Sequence, residues 1–190
     1  MPRPNWFFAF PLDGAFLNAL PPPPASVRCF HPEDLHLTLA FLGGSGQVAA
    51  ERALATLDAE LVRAPLAPLP ISLGEVQPFG GSRRNYTALS ALLVEGRVAV
   101  ARCLTELGGL LCETALSRRP SRPAKPHVTL ARPRRRATDA DRASGLEWAS
   151  SLELGGVRQA LGRIALYTWA EVRRERLFRI VAERKLSARG

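Results

Sequence analysis

The apolar positions of this chain switch between two spacings, and each switch marks an element. "NWFFAF" (5–10) is aromatic and bounded by Pro11, which predicts a strand. Leu12, Phe16 and Leu20 then recur every fourth residue, predicting a short amphipathic helix over 12–20. The tetraproline at 21–24 ends that helix and makes a stiff connector. "VRCFH" (27–31) suits a strand, "PEDL" turns the chain, and "HLTLAFL" (36–42) is a strand stopped by "GGS". Ser45 is the expected cap of the next helix, whose stripe of Ala50, Ala53, Leu54, Leu57 and Leu61 runs to about Arg63.

Two Pro-bounded strands follow, "PISLGEVQPF" (70–79) and "YTALSALLVE" (86–95), joined by hairpin-forming "GGSRRN". A second long helix is expected from about Val98 to Leu116, with Ala101, Leu104, Leu107 and Leu111 as its stripe and Gly108-Gly109 weakening its middle. "HVTLAR" (127–132) is a strand, and 138–149 a short helix capped by Thr138. Late strands are expected at 152–157, 163–169 and 176–186. Strands and helices interleave, and each half contains one His-x-Thr strand. That pattern suggests an internal duplication in which each half gives one strand to a shared centre.

The two hexapeptides sharpen the picture. "HLTLAF" and "HVTLAR" agree at four of six positions and hold two of the chain's three histidines. A strand alternates its faces, so His36 and Thr38 share one face while Leu37 and Leu39 share the other. His127 and Thr129 stand opposite Val128 and Leu130 in the same way. Each strand is apolar beneath and carries an imidazole and a hydroxyl on top.

Composition narrows the setting. The 190 residues suit one domain over 1–190, and a hydrophobic share of 46% is ordinary for a globular protein. No apolar run approaches the roughly 18–20 residues of a membrane span. The apolar run in "MPRPNWFFAFPLDG" is too short for a secretory signal and lacks a small-residue cleavage site. Cys29, Cys103 and Cys112 form no C-x-x-C pair and are expected as reduced thiols, which suits a reducing compartment. A cytoplasmic protein with no membrane contact is therefore expected.

The formal net charge is +9, and of 26 basic residues only Lys125 and Lys185 are lysines. The run "RRPSRPAKPHVTLARPRRR" (118–136) contains no acidic residue and brackets His127. A positive field around a candidate site favours a polyanionic substrate, most simply a phosphate.

Two imidazoles and two hydroxyls in one cleft suit in-line displacement at phosphorus. One neutral His takes a proton from the attacking water, and the other, protonated, gives one to the leaving oxygen. Thr38 and Thr129 can donate to the non-bridging phosphoryl oxygens, and Arg132, five residues after His127, can clamp the same phosphate. A metal site would need further Cys, Asp or Glu ligands beside the histidines, where threonine stands instead, so no metal is expected. No Walker-type phosphate loop occurs, and no motif supports a Ser or Cys nucleophile. His31, before a proline and without a Thr partner, reads as structural. Phe79, Tyr86, Tyr167 and Trp169 lie near strand ends, where packing is the ordinary use and base stacking the special one. Arg83 and Arg84 in the hairpin read as solvated.

Paired His-x-Thr strands resemble the signature of the 2H phosphoesterases, and specifically the RNA 2′,3′-cyclic phosphodiesterases, also called the 2′-5′ RNA ligase family. The likeness runs from about Trp6 to Leu186 and is carried by "FFAFPL", "PEDLHLTLAFLGG", "KPHVTLAR" and "IALYTW" in that order. The tetraproline and the hairpin "FGGSRRNYTAL" depart from the family's pattern. The resemblance implies a bilobal α+β fold, with two pseudo-symmetric lobes whose antiparallel sheets face each other across a central cleft and helices outside. It implies opening of a terminal 2′,3′-cyclic phosphate to a 2′-phosphate without metal or cofactor. His36 would be the acid to the leaving 3′ oxygen and His127 the base to water. Thr38, Thr129 and Arg132 would hold the phosphate. The expected partner is an RNA 3′ end or a nucleotide bearing the cyclic phosphate, such as an ADP-ribose cyclic phosphate, and the chain is expected as a monomer. Ligation would be the same chemistry in reverse, disfavoured in water. A non-catalytic RNA-binding module using the basic cleft is the competing reading, distinguished by salt-sensitive binding without turnover.

Overall fold

The computed structural model describes residues 3–118 and 123–188. Part of the basic run, 119–122 with Arg119 and Arg122, lies outside the described residues. The strands are β1 (Trp6–Pro11), β2 (Val27–Cys29), β3 (His36–Gly43), β4 (Leu69–Phe79), β5 (Ala88–Leu93), β6 (His127–Pro133), β7 (Arg158–Leu161), β8 (Arg163–Trp169) and β9 (Phe178–Lys185). The helices are α1 (Gln47–Arg63), α2 (Arg97–Thr114) and α3 (Asp139–Ser150), with short 3₁₀ turns at Ala15–Ala19 and Pro32–Asp34.

Two antiparallel sheets organise these elements. One has the order β3-β1-β8-β9 and the other β2-β6-β5-β4-β7. Without the three-residue β2, each sheet is a run of four strands with a His-x-Thr strand at its end. This is the α+β, two-lobed arrangement expected, with one difference in how the chain builds it. The first lobe takes β1 and β3 from the N-terminal part and β8 and β9 from the C-terminal part. The lobes are therefore not successive halves of the sequence. Helices α1 and α2 lie against the first sheet, α2 directly on β3, and α3 lies on β4 and β6. One apolar cluster, including Phe8, Leu37, Leu39, Leu89, Val128, Leu130 and Ile164, runs beneath both sheets.

Several local expectations change. The 12–20 helix is only the 3₁₀ turn Ala15–Ala19, because Asp13 Oδ1 accepts the Ala15 N–H and the prolines from 21 stop the chain. Ser45 caps nothing by its side chain. Gly46 holds the N-cap position at φ +90°, a conformation that serine adopts poorly. The strand expected at 152–157 is a turn, and the ladder begins at Arg158. Leu152 and Leu154 are buried there, so their alternation reports core contact without strand pairing. Thr138 does cap α3, in a reciprocal capping box with Asp141.

Gly108 turns out to have a packing role. It is buried in α2, and a Cβ there would lie 2.3 Å from the Leu39 carbonyl oxygen. Only glycine lets the helix backbone sit this close to β3, beneath the first His-x-Thr pair.

Candidate active site

The alternation read from the sequence holds at the start of both strands. His36, Thr38, His127 and Thr129 are half-buried, while Leu37, Leu39, Val128 and Leu130 are buried. Strands β3 and β6 belong to different sheets but pack against each other, so the two His-x-Thr strands are neighbours where the lobes meet.

Both strands then break their alternation in the same way. Thr38 pairs with Ala9 and Ala40 with Phe8, so Leu39 is the extra residue of a β-bulge. Thr129 pairs with Ser90 and Ala131 with Leu89, so Leu130 is the extra residue on β6. In each, Leu and Ala both point to the core, and the next residue returns to the cleft face. Phe41 thereby emerges 55% exposed opposite Phe7, and Arg132 emerges opposite Arg28. Strict alternation would have put Arg132 on the core side with Val128 and Leu130.

The two imidazoles are held alike. His36 Nδ1 lies 2.7 Å from the Asp34 carbonyl oxygen, and His127 Nδ1 lies 2.7 Å from the Lys125 carbonyl oxygen. A carbonyl only accepts, so each Nδ1 carries the hydrogen and each Nε2 is left to exchange a proton with a substrate. The rings are also packed. Phe79 stacks on His127 with centroids 4.2 Å apart, and Lys125 Nζ sits 4.9 Å from the other ring of that stack, Phe79. Phe7 lies 4.9 Å from His36, with Tyr167 and Phe178 each at 5.5 Å.

This packing sets the charge state. Burial pulls the His36 pKa down to about 4, against the raising effect of the Asp34 carbonyl and carboxylate, and the charges of Arg132 and His127 push the same way as burial. Burial also lowers the His127 pKa, partly opposed by its hydrogen bond to the Lys125 carbonyl.

Two supporting residues had no signal in the sequence. Ser90 is fully buried on β5, and its Oγ lies 3.1 Å from Thr129 Oγ1. Asp34 is 1% exposed, and its carboxylate accepts the backbone N–H groups of Leu177 and Phe178 at 2.8 and 3.1 Å. One residue thus holds His36 through its carbonyl and ties the entry of β9 to the same turn through its side chain. Only the non-local pairing of strands reveals either contact.

The remaining candidates sort by packing. His31 caps the Pro32–Asp34 turn, its Nδ1 accepting the Glu33 N–H. Tyr86 is buried with its hydroxyl donating to the Arg142 carbonyl, and Tyr167 is buried in a stack with Phe7. Trp169 carries Arg173 over its ring at 4.3 Å. Arg83 and Arg84 are exposed. Cys103 and Cys112 are buried, Cys29 is half-buried, and all three are free thiols. Among the described residues, no three His, Cys, Asp or Glu side chains gather as a metal-binding group, and no helix is long and apolar enough to cross a membrane.

No protein-family model matches the chain. No curated protein sequence matches it either. Solved structures do. A phosphoesterase crystal structure is 21% identical, with 97% of this chain and 99% of that one covered at a TM-score of 0.68. LigT of E. coli complexed with NADP+ is 21% identical, with 99% and 100% covered and the same TM-score of 0.68. TT0787 of Thermus thermophilus is 22% identical, with 96% and 97% covered at 0.68. LigT has also been crystallised with 3′-AMP and with phosphate. At these identities the likeness establishes a shared fold over almost the full length of each chain.

Proposed function

We propose that the chain is a 2H phosphoesterase that opens a 2′,3′-cyclic phosphate, at an RNA end or on a nucleotide, to a 2′-phosphate. One observation carries the reading: two imidazoles, each fixed through Nδ1 by a carbonyl two residues upstream, stand on neighbouring strands of the two lobes. That is the equipment of paired acid and base catalysis at a single phosphorus. The shared fold with a structure named as a phosphoesterase, and with a protein crystallised with nucleotides and phosphate, supports it.

In the proposed step, a water oxygen attacks phosphorus while the bond from phosphorus to the 3′ oxygen breaks. The neutral Nε2 of one imidazole takes the water's proton, and the protonated Nε2 of the other gives a proton to the departing 3′ oxygen. The product carries a 2′-phosphate and a 3′-hydroxyl. Thr38 and Thr129 donate to the non-bridging oxygens, and Arg132, turned into the cleft by the bulge at Leu130, clamps the phosphate. The deciding experiment is incubation with RNA ending in a 2′,3′-cyclic phosphate, with EDTA present, followed by identification of the terminus. A 2′-phosphate is expected. A 3′-phosphate, or an unchanged end, overturns the reading.

Ser90 enters this chemistry indirectly. If its hydroxyl donates to Thr129 Oγ1, the Thr129 proton stays free for the phosphate. Ser90→Ala removes one neutral hydrogen bond, which corresponds to a loss of about 3–10-fold in kcat. The measurement is a double-mutant cycle with Thr129→Val. The two losses should overlap, and independent losses would remove Ser90 from the site.

A further inference from the structure

Strand β2 is three residues long, yet it sets Arg28 directly opposite Arg132 of β6. Residues paired across an antiparallel ladder share a face, with Cβ atoms about 4.5–5.5 Å apart. The face here is the one that carries Thr129. Like charges directly opposite destabilise a sheet. No carboxylate offsets this pair, because among the described residues no ion pair involves Arg28, Arg132, Arg134 or Arg135.

A cavity of about 300 Å³ opens at this point, and its lining includes Arg28, Phe30, Arg132, Arg134, Arg135 and Leu177. The lining contains four guanidinium groups and no acid. Phe30 is buried, and the Arg132 guanidinium carbon lies 5.2 Å from its ring centroid, a cation–π contact that holds the group there. Arg134 is fixed by its Nε donating to the Ala25 carbonyl at 2.7 Å. Leu177 belongs to the other lobe and is held there by Asp34. The cavity therefore bridges the two lobes, and Arg132 stands on the strand that carries His127 and Thr129. A cluster of planar forks, two of them held in place, with no internal counter-charge is stabilised by an oxyanion that accepts from several of them at once.

We propose that Arg28 and Arg135, with Arg132 between them and the histidines, receive a second phosphate of the substrate: the one on the 5′-oxygen of the nucleotide whose cyclic phosphate is opened. The assignment rests on the function proposed above, which puts the reacting phosphate among His36, His127 and the two threonines. The 5′-phosphate is the next anion along the same nucleotide. It belongs to an RNA strand as a diester, or to a small 5′-phosphorylated nucleotide as a monoester.

The test compares kcat/KM for adenosine 2′,3′-cyclic phosphate with a free 5′-hydroxyl, the same compound with a 5′-phosphate, and short oligonucleotides ending in the cyclic phosphate. At low salt the 5′-phosphate should raise kcat/KM about tenfold or more, as a charge-assisted contact does. Arg28→Gln and Arg135→Gln should each reduce that ratio several-fold. A gain that continues into the oligonucleotides and falls steeply with salt assigns the site to an RNA strand; a gain confined to the monoester assigns it to a small nucleotide. A ratio near one in the unmodified chain, or an equal ratio in the arginine variants, overturns the proposal. Fluorescence anisotropy with a labelled pentanucleotide ending in 2′-phosphate separates the two readings. Binding that depends on Arg28, with no substrate opened, removes the hydrolysis and leaves the phosphate site standing. Hydrolysis indifferent to the 5′-phosphate does the reverse.

Discussion

His36→Ala and His127→Ala are each expected to lower kcat/KM for cyclic-phosphate opening by about 10²–10⁴-fold, the usual contribution of one positioned acid or base. The double variant should fall little further. On the proposed mechanism the two imidazoles act on one displacement, one on the incoming water and one on the outgoing 3′ oxygen, so losing either already removes the concerted step. What remains is positioning by Thr38, Thr129 and Arg132. Stability should fall modestly, since each variant gives up one hydrogen bond, worth about 1 kcal/mol, and the ring's packing against its aromatic neighbours. His36→Asn is a useful companion, because its amide can still donate towards the Asp34 carbonyl while having no proton to exchange near neutrality. It should fold like the parent and be as inactive as His36→Ala. Losses that multiply in the double variant, or single losses under tenfold, would make the histidines independent or incidental.

The His-x-Thr pairs are legible because local sequence decides them. Period-two alternation fixes the face of His36, Thr38, His127 and Thr129 whichever strand lies alongside. The extra residue of a bulge is decided by the partner strand, so the cleft-facing position of Arg132 could be expected only as a matter of reach along the chain. Its face depends on Leu130 being passed over by Ser90 and Leu89. The same limit hid Ser90 and Asp34, whose partners lie 39 and more than 140 residues away. Phe79 reads from the sequence as a packing or base-stacking ring, and the structure places it on His127. Gly108-Gly109 reads as a weak point in a helix until β3 is laid beneath it. In the opposite direction, 152–157 has the apolar spacing of a strand but is not one, although the Val157 carbonyl accepts the Leu73 N–H of β4. Alternation records burial, and burial has more than one cause.

On the proposed mechanism the free protein should work best on the acid side of neutrality. Productive encounter with the cyclic phosphate needs one imidazole neutral and one protonated, and the substrate remains a monoanion throughout the relevant range. Burial lowers the His36 pKa from 6.5 to about 4 and lowers that of His127 as well. The carboxylate of Asp34 opposes this at His36, while Arg132 and the partner imidazole reinforce it; Lys125 reinforces it at His127. Below about pH 4 both rings are charged and the base is lost; above the higher of the two pKa values both are neutral and the acid is lost. The kcat/KM profile should therefore be a bell with its maximum between about pH 4 and 6.5, falling about tenfold per unit on its alkaline side. Once substrate is bound, the phosphoryl anion favours the charged form of both rings, so the kcat profile should shift towards neutral pH. NMR titration of the two imidazole Cε1 protons, with and without inorganic phosphate, measures the same shift independently of turnover. Rings that titrate near 6.5 in the free protein, or a kcat/KM maximum above neutrality, would mean that solvent reaches the imidazoles more freely than their packing against Phe7, Tyr167 and Phe79 allows. The acid displacement of the bell thus tests the packing around the histidines as directly as it tests their chemistry.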